Sequence, residues 1–276
     1  MRAKKALKVS ALILMIVVAV SVVVCAVCFV LQKYYAHRSA PFIPDYERLS
    51  LTESTDYETI FLQTGIGRAA AEKLISEGEF DKILKAQEVF FTKADSVCNP
   101  LIGWFTREDR LSHSKNTPFY DLQAGDIIVS ISTHSGGWRH GHGGLVISNA
   151  TTLESLRMGK TSSLEDISYW RKYPTYAVLR VKDKTAEERQ AVADFALDNL
   201  HDRPYKLLSG VFGEKAPSYK NDNFGLHCTY LMWYAWQNAG IDLDSDGGRF
   251  VTCHDLLHSD KVEVVQLYGL DPRDFI

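Results

Sequence analysis

The clearest capacity for chemistry lies in Asn223-Phe224-Gly225-Leu226-His227-Cys228-Thr229-Tyr230-Leu231-Met232-Trp233. A turn-rich stretch, Lys220 to Asn223, stops abruptly, helix-compatible residues run to Ala239, and Gly240 stands where a helix C-cap belongs. Cys228 is therefore expected in the first turn of a mostly apolar helix. Unpaired backbone N–H groups and the helix dipole favour an anion there. A thiol so placed loses its proton more easily, and the thiolate is the reactive form. The helix alone is equally compatible with a buried core cysteine.

A reactive thiol needs a base that takes and returns a proton, and a group that orients that base. Histidine is the usual base because it titrates near neutrality. Of the nine histidines, His37 follows a long apolar run, and His113, His134, His201 and His258 read as polar-loop or helix-end residues. His227 adjoins Cys228, and consecutive residues on a helix do not face each other. His254 has no supporting pattern. His140 and His142 remain, in Trp138-Arg139-His140-Gly141-His142-Gly143-Gly144-Leu145-Val146. Either could serve as base, and a carboxylate that could orient one of them, Glu154, follows twelve residues after His142. Each member also has a plain alternative: a strand histidine, a solvated strand carboxylate. His140 and His142 alternate along an extended chain and are compatible with a metal site shared with Cys228, although no Cys-x-x-Cys or His-x-x-x-His spacing supports one.

The elements that must position these residues can be read in outline. Gly125 to Ser132 and His142 to Ser148 read as strands, the first apolar enough to be buried on both faces. Thr151 to Leu156 and Tyr176 to Val181 suit two more. Thr185-Ala186-Glu187-Glu188 is a capping box opening a helix to about Leu200. Tyr57 to Ala94 shows two helical stretches broken at Glu77-Gly78, a helical hairpin packing on the main domain. Ser96 to Phe119 reads as loop, with Trp104, Phe105 and Pro118 covering a groove wall and no visible chemistry. The order of helices, strands and helices implies an α+β class with an antiparallel sheet packed on helices. Four regions are expected: 1–38, 39–56 as a linker, 57–118 as hairpin and loop, and 119–276 as the site-bearing domain.

The N-terminus is set apart by composition. Leu7 to Leu31 is a 25-residue run with one charge, Lys8, long enough to cross a bilayer as a transmembrane helix. Arg2, Lys4, Lys5 and Lys8 precede it, so the remainder is expected outside the cytoplasm, single-pass and anchored in the cell membrane, with a cleaved signal as the alternative. The first 40 residues hold six basic groups and no acidic ones; the remainder holds 25 basic and 34 acidic groups, a net −9. That acidity argues against a nucleic-acid partner. Thr64 to Leu74, with Gly65-Ile66-Gly67, resembles the helix-hairpin-helix element that grips DNA phosphates. It lies among nine acidic and five basic groups between residues 53 and 98, and reads as a glycine turn before a structural helix. Beyond the apolar run the cysteines are Cys98, Cys228 and Cys253; one free reactive thiol leaves Cys98 and Cys253 as the pair for a disulfide.

Gly-Asp-Ile-Ile-Val at 125–129, Gly-His-Gly-Gly-Leu-Val-Ile at 141–147, a following carboxylate, and Cys-Thr-Tyr-Leu-Met-Trp at 228–233 before Ala-Gly-Ile-Asp-Leu together resemble the permuted papain-like cysteine hydrolases. These are of the YiiX/YycO type, within the NlpC-type cell-wall peptidase superfamily, where the histidine strand precedes the nucleophile helix. The resemblance covers about Leu122 to Asp260. It implies a permuted papain-like fold with Cys228 as nucleophile, His142 as base and Glu154 as third member. Tyr205 matches a tyrosine ahead of the nucleophile segment; with Trp138 it is a candidate substrate contact. The implied activity is a membrane-anchored thiol amidase or peptidase acting on peptidoglycan peptides, with no metal or organic cofactor. Two rivals stand beside it: a lipid-directed acyltransferase or thioesterase of the same core, marked by a long apolar groove, and a catalytically inactive surface-binding module.

Overall fold

The computed structural model describes residues 2–38, 41–102, 105–112, 118–136 and 138–276. Trp104, His113 and Gly137, and the first two residues of the expected linker, lie outside them. The chain forms α1 (Arg2–Arg38), α2 (Tyr57–Thr64), α3 (Arg68–Ser76), α4 (Phe80–Phe90), β1 (Ser96–Ile102), β2 (Thr106–Leu111), β3 (Ile127–Ser130), β4 (Thr133–Ser135), β5 (His142–Val146), β6 (Thr151–Glu154), β7 (Ser163–Asp166), β8 (Tyr176–Val181), α5 (Ala186–Leu200), α6 (Cys228–Asn238), α7 (Cys253–Leu257) and β9 (Val262–Tyr268). A 3₁₀ turn over Ile167–Lys172 links β7 to β8. α1 contains an 18-residue apolar window, Ser10–Val27, of mean hydropathy 3.0, long enough to span a membrane or to act as a signal sequence.

The α+β class expected from the sequence is the class observed. A six-stranded antiparallel sheet runs in the order β7-β6-β5-β3-β8-β9. Its two faces are sorted by strand alternation. On β3, Ile127 and Val129 meet the layer of α5, α6 and α7, while Ile128 meets the layer of α2 to α4. β3 is buried along its whole length, as its apolar run requires. α6 is buried from Thr229 to Trp236 because it carries apolar or aromatic residues all round. Its polar tips are satisfied: Tyr230 Oη donates to Lys215 O at 2.6 Å, Tyr234 Oη to Pro217 O at 2.6 Å, and Trp233 Nε1 to Asp242 Oδ1 at 2.7 Å. The capping box at Thr185 and Glu188 starts α5 as read.

The structure revises three readings. The hairpin is three helices, because Gly65 closes α2 with φ +71° and its N–H donates to Phe61 O at 2.8 Å. The stretch 96–119 is not simply loop: β1 and β2 pair with β4 as a second, three-stranded antiparallel sheet. Polar residues alternating without an apolar face hide such strands from pattern reading. Finally, Cys98 and Cys253 do not form the expected disulfide; both thiols are free. Cys98 lies on β1 of the small sheet. Cys253 opens α7 and is buried, its sulfur 3.6 Å from the carbonyl oxygen of His142.

The Gly65-Ile66-Gly67 turn proves structural. Gly67 N–H donates to Val265 O at 2.9 Å and Leu267 N–H donates to Gly65 O at 2.7 Å, so the turn pairs along β9 and covers its outer edge. The approach is too close for a side chain: a Cβ on Gly67 would lie 1.8 Å from Val264 O. Gly67→Ala should therefore lower stability by about 2–3 kcal/mol in urea titration, by prising the hairpin from β9.

Candidate active site

The His142 strand and the Cys228 helix meet through glycines. Gly141 takes φ +73°, and a Cβ there would sit 2.4 Å from Ser130 O, so only glycine makes this entry into β5. A Cβ on Gly143 would lie 2.2 Å from Met232 Cε of α6, so the bare strand lets the helix settle against it. Between these glycines His142 projects to the N-terminus of α6.

Cys228 is the first residue of α6, as the sequence implied, and keeps partial exposure at the cleft floor. Its thiol and the His142 imidazole are close enough to shift each other's proton affinity. On the far side of the ring, His142 Nε2–H donates to Glu154 Oε2 at 2.6 Å. Nδ1 is thereby the nitrogen left for sulfur. The strands explain the meeting: β5 and β6 pair with Gly144 opposite Glu154, and His142 lies two residues before Gly144 on the same face of β5. Glu154 is 4% exposed and is held by two further donors, Thr152 Oγ1 at 2.5 Å and Trp170 Nε1 at 2.7 Å, both to Oε1. Trp170 also stacks on the His142 ring, centroids 5.4 Å apart and planes 10° from parallel.

These contacts set the charges. Burial alone would push the Cys228 thiol up, but His142 and then His227 bring it well below its ordinary value. Burial would pull His142 down, yet Cys228 and Glu154 hold it well above the usual imidazole value. Burial would likewise raise Glu154; the His142 charge and its three donors keep it low and ionised. These shifts favour a thiolate at Cys228 beside a protonated His142.

Two residues were not legible in the sequence. Trp170 had no motif. His227 reads in the sequence as a helical neighbour of Cys228, but it is the N-cap, with extended φ −102° and ψ 172°, and so lies outside the helical turn. Its Nδ1 accepts from Tyr230 N–H at 3.4 Å, and its ring stacks on Phe250 with centroids 4.8 Å apart. Nε2 is buried and has no bonded partner among the described residues. His140 lines the same cleft, but its Nε2 is taken by Ser135 Oγ at 2.9 Å, and burial lowers its affinity for a proton. It does not share the Cys228–His142–Glu154 relay.

The cleft holds about 1000 Å³. Tyr205 and Trp138 both line it, as do Leu101, Phe105, Leu156, Met158, Leu207 and Phe250, with Glu108, Arg110 and Lys160 among the charged groups. Trp138 is 55% exposed at the rim, and Tyr205 is half-buried. A second Cys–His–carboxylate cluster, Cys98, Asp109 and His134, lies outside the cleft lining.

The crystal structure of the metalloprotein YiiX from Escherichia coli O157:H7 is similar to 53% of this chain and 97% of its own, at 17% identity and a TM-score of 0.41. No protein-family model and no curated protein matches the chain.

The charge pattern has a measurable signature. Alkylation of Cys228 by iodoacetamide should stay fast below the ordinary thiol range and fall only as the pH drops through its lowered pKa. In His142→Ala the thiolate loses its cation, so the same fall should move to higher pH.

Proposed function

We propose that this chain is a cysteine hydrolase whose nucleophile is Cys228, whose acid–base group is His142 and whose orienting carboxylate is Glu154. The reading is carried by one observation: a helix-start thiol and a buried carboxylate engage a single imidazole, on the floor of a cleft large enough for a substrate. The thiolate attacks a carbonyl carbon. The oxyanion is met by the Cys228 backbone N–H, which has no intrahelical acceptor, and by Nε2–H of His227. His142 passes its proton to the leaving amine as the C–N bond breaks. Water, losing a proton to His142, then adds to the thioester and releases the acid with regeneration of the thiolate. Tyr205 and Trp138, both lining the cleft, contact substrate.

Peptide amides of peptidoglycan are the proposed substrate, with α1 as the membrane anchor and the site outside the cytoplasm. This step rests on the apolar N-terminal helix and on the sequence resemblance. A second reading has its own support: Leu101, Phe105, Leu156, Met158, Leu207 and Phe250 make the cleft apolar enough for an acyl chain. Acyl transfer or thioester hydrolysis would use the same three residues.

Mass analysis after incubating the full chain with peptidoglycan and, separately, with acyl-lipid vesicles separates the readings by product. Cys228→Ala and His142→Ala should each abolish turnover of whichever substrate is cleaved, by at least about 10²–10⁴-fold, without unfolding the protein. Glu154→Gln should keep partial activity, and its alkaline limb should move to lower pH, because an imidazolium without its carboxylate gives up its proton sooner. His227→Ala should lower turnover by roughly 10²-fold with little change in KM. Turnover that survives loss of Cys228 would overturn the reading.

A further inference from the structure

The cluster on the small sheet has a different geometry from the relay in the cleft. Cys98 and Asp109 are opposite partners in the β1–β2 ladder, and Arg107, two residues before Asp109, is opposite His134 on β4. Alternation therefore sets Cys98, Asp109 and His134 on one face, one residue from each strand. The other face carries Glu108, Arg110, Thr133 and Ser135, which line the cleft. The small sheet is thus a cleft wall with the cluster on its back.

In a catalytic relay the thiol and the carboxylate take different nitrogens of the imidazole. Here both approach the same one: His134 Nε2 is 3.5 Å from Cys98 Sγ and 3.8 Å from Asp109 Oδ1. The second distance is too long for a hydrogen bond. His134 is fully buried, and its Nδ1 has no partner among the described residues. A buried imidazole with so few partners is incomplete. That gap is on Nδ1; the other nitrogen, Nε2, faces Cys98 Sγ and Asp109 Oδ1, and the three ligand atoms lie within 4.8 Å of one another, near enough to share one cation. Ligands about 2.3 Å (sulfur) and about 2.0–2.1 Å (nitrogen) from a tetrahedral centre lie roughly 3.5 Å apart, which is the Cys98–His134 separation. The Asp109 oxygen needs to close by a few tenths of an ångström.

The surrounding donors leave this point free. Arg107 Nε–H donates to Cys98 Sγ at 3.1 Å, and Arg139 donates to Oδ2 of Asp109 at 3.0 Å, which leaves Oδ1 facing inward. Such outer donors orient metal ligands. Cys98 is only half-buried, so an ion can reach the point from solvent.

We propose that Cys98, Asp109 and His134 bind a zinc ion that ties β1, β2 and β4 together behind the cleft, with water as fourth ligand. Thiolate, imidazole and carboxylate together match a borderline-soft, tetrahedral divalent ion. The role is structural: the ion holds the wall that presents Glu108 and Arg110. The proposal stands apart from the hydrolase reading, since none of its ligands lies in the relay.

The test is zinc content of the full chain in detergent, stripped with chelator and then dialysed against buffered zinc. One ion per chain is expected in the wild type and in Cys228→Ser. Cys98→Ser and His134→Ala should each weaken binding by more than about 100-fold. Circular dichroism reports whether those variants fold. If they do not, cobalt titration of the wild type and of Cys228→Ser decides: thiolate-to-cobalt charge transfer with tetrahedral ligand-field bands is expected in both. No bound metal in the wild type, undiminished binding in folded Cys98→Ser and His134→Ala, no thiolate–cobalt band, or binding lost only in Cys228→Ser would each overturn the proposal.

Discussion

The site depends on how closely α6 lies against β5. Met232 of the helix occupies the space where any side chain on Gly143 would be, so strand and helix are in direct contact next to His142. A side chain there would displace the flexible end of Met232, which packs helix against strand beside Cys228 and His142. The other close contacts follow from it. Gly144 leaves room for Glu154 and Trp170 on the opposite face of the strand, and Gly141 aims the strand into place. The glycines of the histidine motif are spacing elements, and the bulky side chains around them fix the distances.

Burial and charge work together in this arrangement. A carboxylate as deeply buried as Glu154 would be costly if unpaired. Three donors satisfy it, and the positive ring it stabilises in turn stabilises the thiolate. Trp170 contributes twice, as an N–H donor to the carboxylate and as a flat surface against the imidazole. The ring is therefore held in orientation by contacts that do not depend on substrate, the kind of preorganisation that limits reorganisation during reaction.

What could be read from the sequence followed local rules. The helix start at Cys228, the strand through His142, the buried strand at Ile127–Ser130 and the capping box at Thr185 all have signals within a few residues. Other features depend on residues distant in sequence. Trp170 reaches Glu154 from a 3₁₀ turn that has no periodicity. His227 escaped because its role depends on its being one residue outside the helix, a boundary that pattern reading places only approximately. The small sheet escaped because its strands alternate polar residues on both faces. Cys98 and Cys253 pair in the sequence only as the two that remain once Cys228 is set apart; in space one lies on the back of the cleft wall and the other against the backbone of His142.

The segment after α1 leaves little slack. Phe42 N–H donates to Gly269 O at 2.9 Å, so the chain is already fastened to the folded body four residues beyond the last residue of the helix, Arg38. Four residues reach at most roughly 14 Å. With α1 embedded in a bilayer as far as Leu31, its last seven residues add roughly 10 Å, so the body would be fastened within roughly 25 Å of the surface. Such a leash would keep the cleft in a layer next to the membrane. A substrate would then be met there only if it, too, is held at the membrane or threads down to it, so the tether would act as a filter on location before the cleft acts as a filter on chemistry.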